Sequence, residues 1–276
     1  MARRGGSGRG GIGAGGIGGA ARAPLGVAGR LAAVGGGVVL GGIVALIRLA
    51  RAPRPIHPAG LVLDGRIEPL DAPGFERSGI DWIDGTPSGP VEARLSRGIG
   101  VPVPVPDIWG LAFRQRSERA ATEGGAGVAT RSGDVLLASL LGSGRRARFV
   151  PMVRLSPWGA VFGTVMPYRS ATGAVLVGAR TISGAPASAT PTGQARELGR
   201  RPWVLELLWA TPSGPWRPFA TLSLSAPAGE AVDRADLRFD PVLAPPSGAR
   251  TYEWTRALRE PAYRRARGRR PLRRTT

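Results

Sequence analysis

Cysteine and lysine are absent from this 276-residue sequence, and histidine occurs once, at His57. Without cysteine there is no disulfide framework, no thiol nucleophile and no thiolate metal site. Without lysine there is no Schiff base and no phosphate-loop lysine. One histidine excludes a multi-histidine zinc centre or a two-metal hydrolase site of the usual kind. All histidine chemistry has to run through His57. No G-x-S-x-G elbow is present, which sets a Ser–His–Asp hydrolase aside.

Arginine, glycine and proline are abundant. All 38 basic residues are arginine, against 19 acidic ones, for a net charge of +19; glycine numbers 43 and proline 26. Such a bias reads as a GC-rich coding preference, so a given arginine need not be a selected contact. The charge is uneven. Residues 1–54 hold eight arginines and no acid, and residues 256–276 hold nine arginines and one acid, which leaves +3 for residues 55–255. Two basic tails therefore flank a balanced body. Tails of this kind meet phosphate or anionic lipid surfaces without reading sequence. No RNA-recognition, KH or zinc-finger signature accompanies them, so specific nucleic-acid binding is not expected.

Residues 1–22 are low in complexity and hold ten glycines, which predicts disorder. The G-x-G-x-x-G from Gly11 to Gly16 lacks a preceding strand and is a chance match. Residues 23–54 contain the uncharged run 31–47, predicted as an apolar helix. At ~1.5 Å per residue the run spans about 25 Å, just short of a hydrocarbon core. Gly37 and Gly41 form a G-x-x-x-G pair suited to close helix approach. The run reads as a membrane anchor, as a signal peptide without a clear cleavage site, or as a helix packed on the domain. The protein is accordingly placed at a membrane surface or in the cytoplasm.

From residue 55 to 252 short apolar runs alternate with Gly/Pro turns. Eight strands are predicted at Leu61–Ile67, Val91–Ser96, Trp109–Arg114, Asp134–Leu140, Ala174–Arg180, Val204–Ala210, Phe219–Ser225 and Asp236–Phe239. In the second, Val91, Ala93 and Leu95 face one way and Glu92, Arg94 and Ser96 the other. Eight such runs, with irregular connections at 140–173 and 181–202, suggest a closed antiparallel barrel or a sandwich. The seven tryptophans fit core and barrel-end packing. Residues 253–276 are predicted as a basic C-terminal helix and tail, the helix running from Glu253 to about Arg267 with Pro261 interrupting it.

The order of motifs carries a resemblance. His57-Pro58-Ala59-Gly60 leads into Leu61-Val62-Leu63-Asp64-Gly65. Ala93-Arg94-Leu95-Ser96 follows, then Pro106-Asp107-Ile108-Trp109-Gly110-Leu111-Ala112-Phe113, then Gly133-Asp134-Val135-Leu136-Leu137-Ala138. The series resembles the barrel half of haem catalases and their catalase-like relatives. There H-A-K-G precedes the first strand, and V-R-F-S, D-P-R-G-F-A and W-D-L-V follow. It is also similar to short actinobacterial proteins of this fold that carry the label phosphodiesterase, for which one histidine and scattered aspartates supply no metal ligand set.

The resemblance implies a mainly β fold with helices, an eight-stranded antiparallel catalase-like β-barrel, with haem as cofactor and peroxide or an organic hydroperoxide as substrate. His57 matches the distal histidine, which moves a proton between the peroxide oxygens; an imidazole near its ordinary pKa of about 6.5 suits that task. Ser96 matches the serine that bonds this histidine, and Arg94 the arginine that holds a haem propionate. Arg259 and Tyr263 have the R-x-x-x-Y spacing of the proximal helix, where the tyrosinate ligates iron and the arginine lowers its pKa. A barrel interior facing His57 is expected to collect the distal residues. The chain differs from the family in four places. Trp109 replaces the arginine of D-P-R-G, and Leu137-Ala138-Ser139 stands where the distal asparagine belongs. Arg265 replaces the aspartate after the tyrosine, and the proximal motif lacks its aromatic. A haem-free barrel acting as a membrane-associated binding module is the alternative.

Overall fold

Alternating apolar positions with turn residues between them give strands, and the bulk of the residues on each face decides which side turns inward. The computed structural model describes residues 60–70, 76–100, 104–116, 132–227, 237 and 239–257. The strands are β1 (Gly60–Pro69), β2 (Gly89–Arg97), β3 (Asp107–Gln115), β4 (Ser132–Ser139), β5 (Val153–Arg154), β6 (Val161–Gly163), β7 (Tyr168–Arg169), β8 (Ala174–Ser183), β9 (Trp203–Ala210), β10 (Arg217–Ser225) and β11 (Arg250–Thr251). The helices are α1 (Asp81–Asp84), α2 (Pro191–Arg200) and α3 (253–257), with one 3₁₀ turn at Ala147–Phe149.

Eight strands close a barrel in the order β8-β6-β4-β3-β2-β1-β10-β9, and β9 pairs again with β8. All of these pairings are antiparallel. The predicted eight-stranded antiparallel barrel is therefore present. Seven predicted strands stand within a few residues of their expected bounds, and the eighth is a correction. Leu237 and Phe239 are outside any strand, and β6 takes the place. The physical reason lies in how 239–244 is held. The Arg114 guanidinium sits 4.8 Å from the Phe239 ring, and the Asp240 N–H donates to Asp134 Oδ2. The segment is thus pinned to the outside of β3 and β4 by these side chains and by one backbone bond, from the Asp134 N–H to the Ala244 carbonyl, with no ladder of its own among the described residues.

The interior is packed. Across β1 to β4, Leu61, Leu95, Leu111 and Leu137 stand in register, as do Leu63, Ala93, Phe113 and Val135. From the other half come Phe162, Val175, Val177, Ala179, Trp203, Leu205 and Leu207. Side chains of this bulk fill an eight-stranded barrel completely. The ends are closed by aromatics, as the tryptophan content suggested. At one end α1 inserts Trp82, whose ring meets Phe219 edge-on at 5.3 Å while its Nε1 donates to Gln115 Oε1 at 3.2 Å. At the other, Trp158 and Trp203 cross at 88° with centroids 4.9 Å apart.

The connection 181–202 holds α2, which the sequence reading left irregular. The Thr190 hydroxyl accepts from the Gly193 N–H at 3.2 Å, with Pro191 in the first turn, an N-terminal signal visible in the sequence. Helix α3 starts at 253, as expected. The assignments for 1–22 and 23–54, and the continuation of the C-terminal helix past 257, lie outside the described residues. No helix among the described residues is long and apolar enough to cross a membrane.

Candidate functional site

Because Val91, Ala93 and Leu95 belong to the barrel core, strand alternation sends Glu92, Arg94 and Ser96 to the outer face. The same-face placement expected for Arg94 and Ser96 holds, but they lie on the outside of the barrel. The expected interior pocket is corrected by the inward face of β2, which carries Val91, Ala93 and Leu95 of the buried core and turns Arg94 and Ser96 away from it.

Register builds a surface around them. One outer row runs Gly60, Ser96, Gly110, Ala138, Gly163 and Gly178 from β1 through β2, β3, β4, β6 and β8. The next row is Val62, Arg94, Ala112 and Leu136. On the β6–β8 half the small residues are roofed by packing. A Cβ on Gly163 would strike the Leu140 side chain, and one on Gly178 would meet the Trp216 ring at 2.9 Å. On the β1–β4 half the floor differs. A Cβ on Gly110 would meet nothing closer than Ser96 Oγ at 3.4 Å among the described residues. At its edge the Arg94 side chain lies across the backbone of Gly60, where any Cβ would collide with its Nε. The result is a shelf of glycine and alanine carrying one hydroxyl and one guanidinium. Gly60, Arg94, Ser96, Gly110, Ala112 and Ala138 are all half-buried.

The row beyond the shelf is charged: Asp64, Glu92, Arg114 and Asp134 stand in register. Arg114 donates to both Asp134 oxygens, from Nε at 2.8 Å and Nη2 at 3.0 Å. Glu92 pairs with Arg116 at 2.8 Å. Asp134 also accepts from the Asp240 N–H, so this row anchors the 239–244 segment against the barrel.

Several motif residues prove to have structural roles. The Asp107 carboxylate, fully buried, accepts from the Ile99 N–H at 2.8 Å and the Gly100 N–H at 2.9 Å, and faces Arg97 Nε at 3.4 Å. It locks the turn between β2 and β3. Trp109, in place of the family arginine, points to the core side, packs against the barrel interior and donates from Nε1 to the Arg154 carbonyl at 3.0 Å. In the run Leu137-Ala138-Ser139, Ala138 faces the shelf. Leu137 lies in the core, and the Ser139 hydroxyl donates to the Met152 carbonyl at 2.7 Å and accepts from the Trp109 N–H at 3.0 Å.

His57, Arg259 and Tyr263 lie outside the described residues. The sequence reading missed Gly110, Ala112 and Ala138 as a floor, and Arg114 with Asp134 as its neighbour. Their signal is a set of small residues on alternate positions of three strands, and it emerges only once those strands are placed in register. Among the described residues no group of three or more His, Cys, Asp or Glu could hold a metal ion. A cavity of about 370 Å³ opens near α1 between Pro69, Glu76, Arg77 and Trp209, and it involves none of the expected site residues.

No model of a known protein family matches the chain, and no curated protein matches it in sequence. Solved structures similar to it include a fungal catalase at 15% identity, covering 82% of this chain and 61% of that one, with a TM-score of 0.49. A bacterial catalase is 13% identical over 86% of this chain and 64% of its own, with a TM-score of 0.45. Catalase A from Saccharomyces cerevisiae is 12% identical over 91% and 66%, with a TM-score of 0.48. The chain thus spans between 61% and 66% of the length of these proteins. The likeness concerns the course of the chain.

Proposed function

We propose that the shelf on the outer face of β1–β4 is the binding face for haem in a catalase-like barrel, and that peroxide or an organic hydroperoxide is handled there. The observation that carries this reading is the register that sets Arg94 and Ser96 on a floor of Gly60, Gly110, Ala112 and Ala138. A planar macrocycle needs a flat, side-chain-poor surface and a cation at its edge for its carboxylates. The described residues fit one face of such a group. Arg94 would hold a propionate through a charge-assisted hydrogen bond. Three residue-to-residue steps lead from His57 to Gly60, a reach of at most about 11 Å. Gly60 pairs with Ser96, so a chain of that length allows the single histidine to reach the one hydroxyl of the shelf. In this reading Ser96 orients the His57 ring, and His57 carries a proton between substrate oxygens. Tyr263 is the proposed iron ligand with Arg259 beside it; the iron, when bound, supplies the redox chemistry.

A second reading has its own observation. Ala138 occupies the shelf position in the run that replaces the distal asparagine, and it brings no hydrogen-bonding group. A barrel that binds a flat ligand without turning over peroxide would need none. On this reading the protein is a haem-free binding module, associated with a membrane through 31–47.

The full-length chain titrated with haemin tests both readings. The expected result is a Soret band whose position changes in Tyr263→Phe. In Arg94→Ala, haem affinity should fall roughly tenfold or more, as for loss of a charged hydrogen bond. A spectrum that remains that of free haemin at stoichiometric protein contradicts the haem reading and favours the second.

A further inference from the structure

A second surface lies away from the shelf, where β11 extends the sheet beyond the barrel by pairing with β7. The pairing sets Arg250 directly opposite Arg169, and both side chains are exposed. Like charges directly opposed on an antiparallel pair are unfavourable. Among the described residues neither takes part in an ion pair. Two residues on, the Tyr252 and Trp254 rings stack with centroids 6.2 Å apart and planes at 29°. Trp254 is 45% exposed, an unusual position for the largest side chain. A concavity of about 560 Å³ gathers Arg169, Arg250, Arg256, Tyr252 and Trp254, with Glu253 as the single acid among the described residues that line it.

We infer that this concavity binds single-stranded nucleic acid without sequence preference. Arginines that track phosphates, beside an exposed aromatic face on which a base can stack, are the two elements of such binding. The two opposed guanidinium groups would share a phosphate, which turns their repulsion into a clamp. A duplex keeps its bases stacked within itself and gives Trp254 nothing to stack on. A bilayer is flat, whereas these arginines line a hollow. A phosphopeptide would engage the arginines and leave the stacked rings without a role. This is shape- and charge-based binding, consistent with the lack of any sequence-reading motif.

Fluorescence anisotropy of a labelled twenty-nucleotide oligo-dT against the full-length protein tests the inference. Expected is binding that weakens steeply with salt. Trp254→Ala should reduce affinity about tenfold, as for loss of one stacked base. Arg250→Gln should also weaken binding while leaving the melting temperature equal or higher, because it removes the opposed charge; a purely structural arginine would behave the opposite way. The inference is overturned if both variants bind as the wild type does, since the tail alone then accounts for the affinity. It is equally overturned if a duplex of the same length binds as tightly, or if vesicles containing phosphatidylserine bind and oligo-dT does not.

Discussion

Replacing Asp134 by alanine is expected to destabilise the protein by about 3–5 kcal/mol, the range for breaking a buried ion pair from one side. Arg114 and Asp134 are 9% and 3% exposed, so the remaining guanidinium would stay in a dry environment under the Phe239 ring. The carboxylate does more than neutralise it. It takes both forks of Arg114 and the Asp240 N–H, and the Asp134 N–H itself donates to the Ala244 carbonyl at 2.6 Å. The substitution therefore removes the carboxylate's hold on the Asp240 N–H together with the counter-charge, and leaves the backbone bond to Ala244 as the remaining tie. A double replacement, Arg114→Met with Asp134→Leu, should recover much of the loss, because neither partner is then left charged and buried. Urea unfolding midpoints of the two variants decide the matter. A loss below about 1 kcal/mol in Asp134→Ala would mean that the pair is solvated like a surface bridge.

Trp203→Ala should cost a similar amount, about 3–5 kcal/mol, for a different reason: it opens a cavity in a core that cannot collapse around it. Trp203 is fully buried, meets Trp158 at 4.9 Å and Phe162 at 6.2 Å, and donates from Nε1 to Thr181 Oγ1 at 3.0 Å. Alanine would also leave that hydroxyl without its donor; the Thr181 hydroxyl keeps its own donation to the Trp158 carbonyl at 2.6 Å. Closed barrels resist inward movement because each strand is bonded on both sides, so the void persists. Trp203→Phe, which retains most of the volume, is expected to lose less than half as much in the same unfolding measurement. Equal losses in the two variants would assign the effect to the indole N–H rather than to volume.

The strands were legible because their two faces differ in chemistry. Val91, Ala93 and Leu95 against Glu92, Arg94 and Ser96 is a period-two pattern that a single strand displays. Which of those faces turns inward was harder to read. Arg94 and Ser96 lie on a half-buried surface, and the decision rests on Leu111, Phe113 and the second-half residues stacked opposite, which only register brings together. The shelf is illegible for the same reason. Gly60, Gly110 and Ala138 are unremarkable singly and become a floor when β1, β3 and β4 align on β2. The short strand β6 escaped because three residues, Val161 to Gly163, carry too little periodicity to register against a loop. The alternation of Asp236–Phe239 suggests a strand, but Phe239 and Asp240 are held by one cation–ring contact and one carboxylate, a kind of attachment that leaves no periodic signal in the sequence.

The central claim is that the ligand-binding face is the outer shelf, with the barrel interior serving only as core. Haemin titration of Ala112→Trp tests it most directly, with the melting temperature measured on the same sample. Ala112 stands between Arg94 and Leu136 in the outer row, so an indole there covers the floor while leaving the inward face untouched. The expected result is a melting temperature close to that of the unaltered protein and a spectrum that stays that of free haemin. A Soret band of unchanged position and affinity in a folded Ala112→Trp protein would contradict the claim.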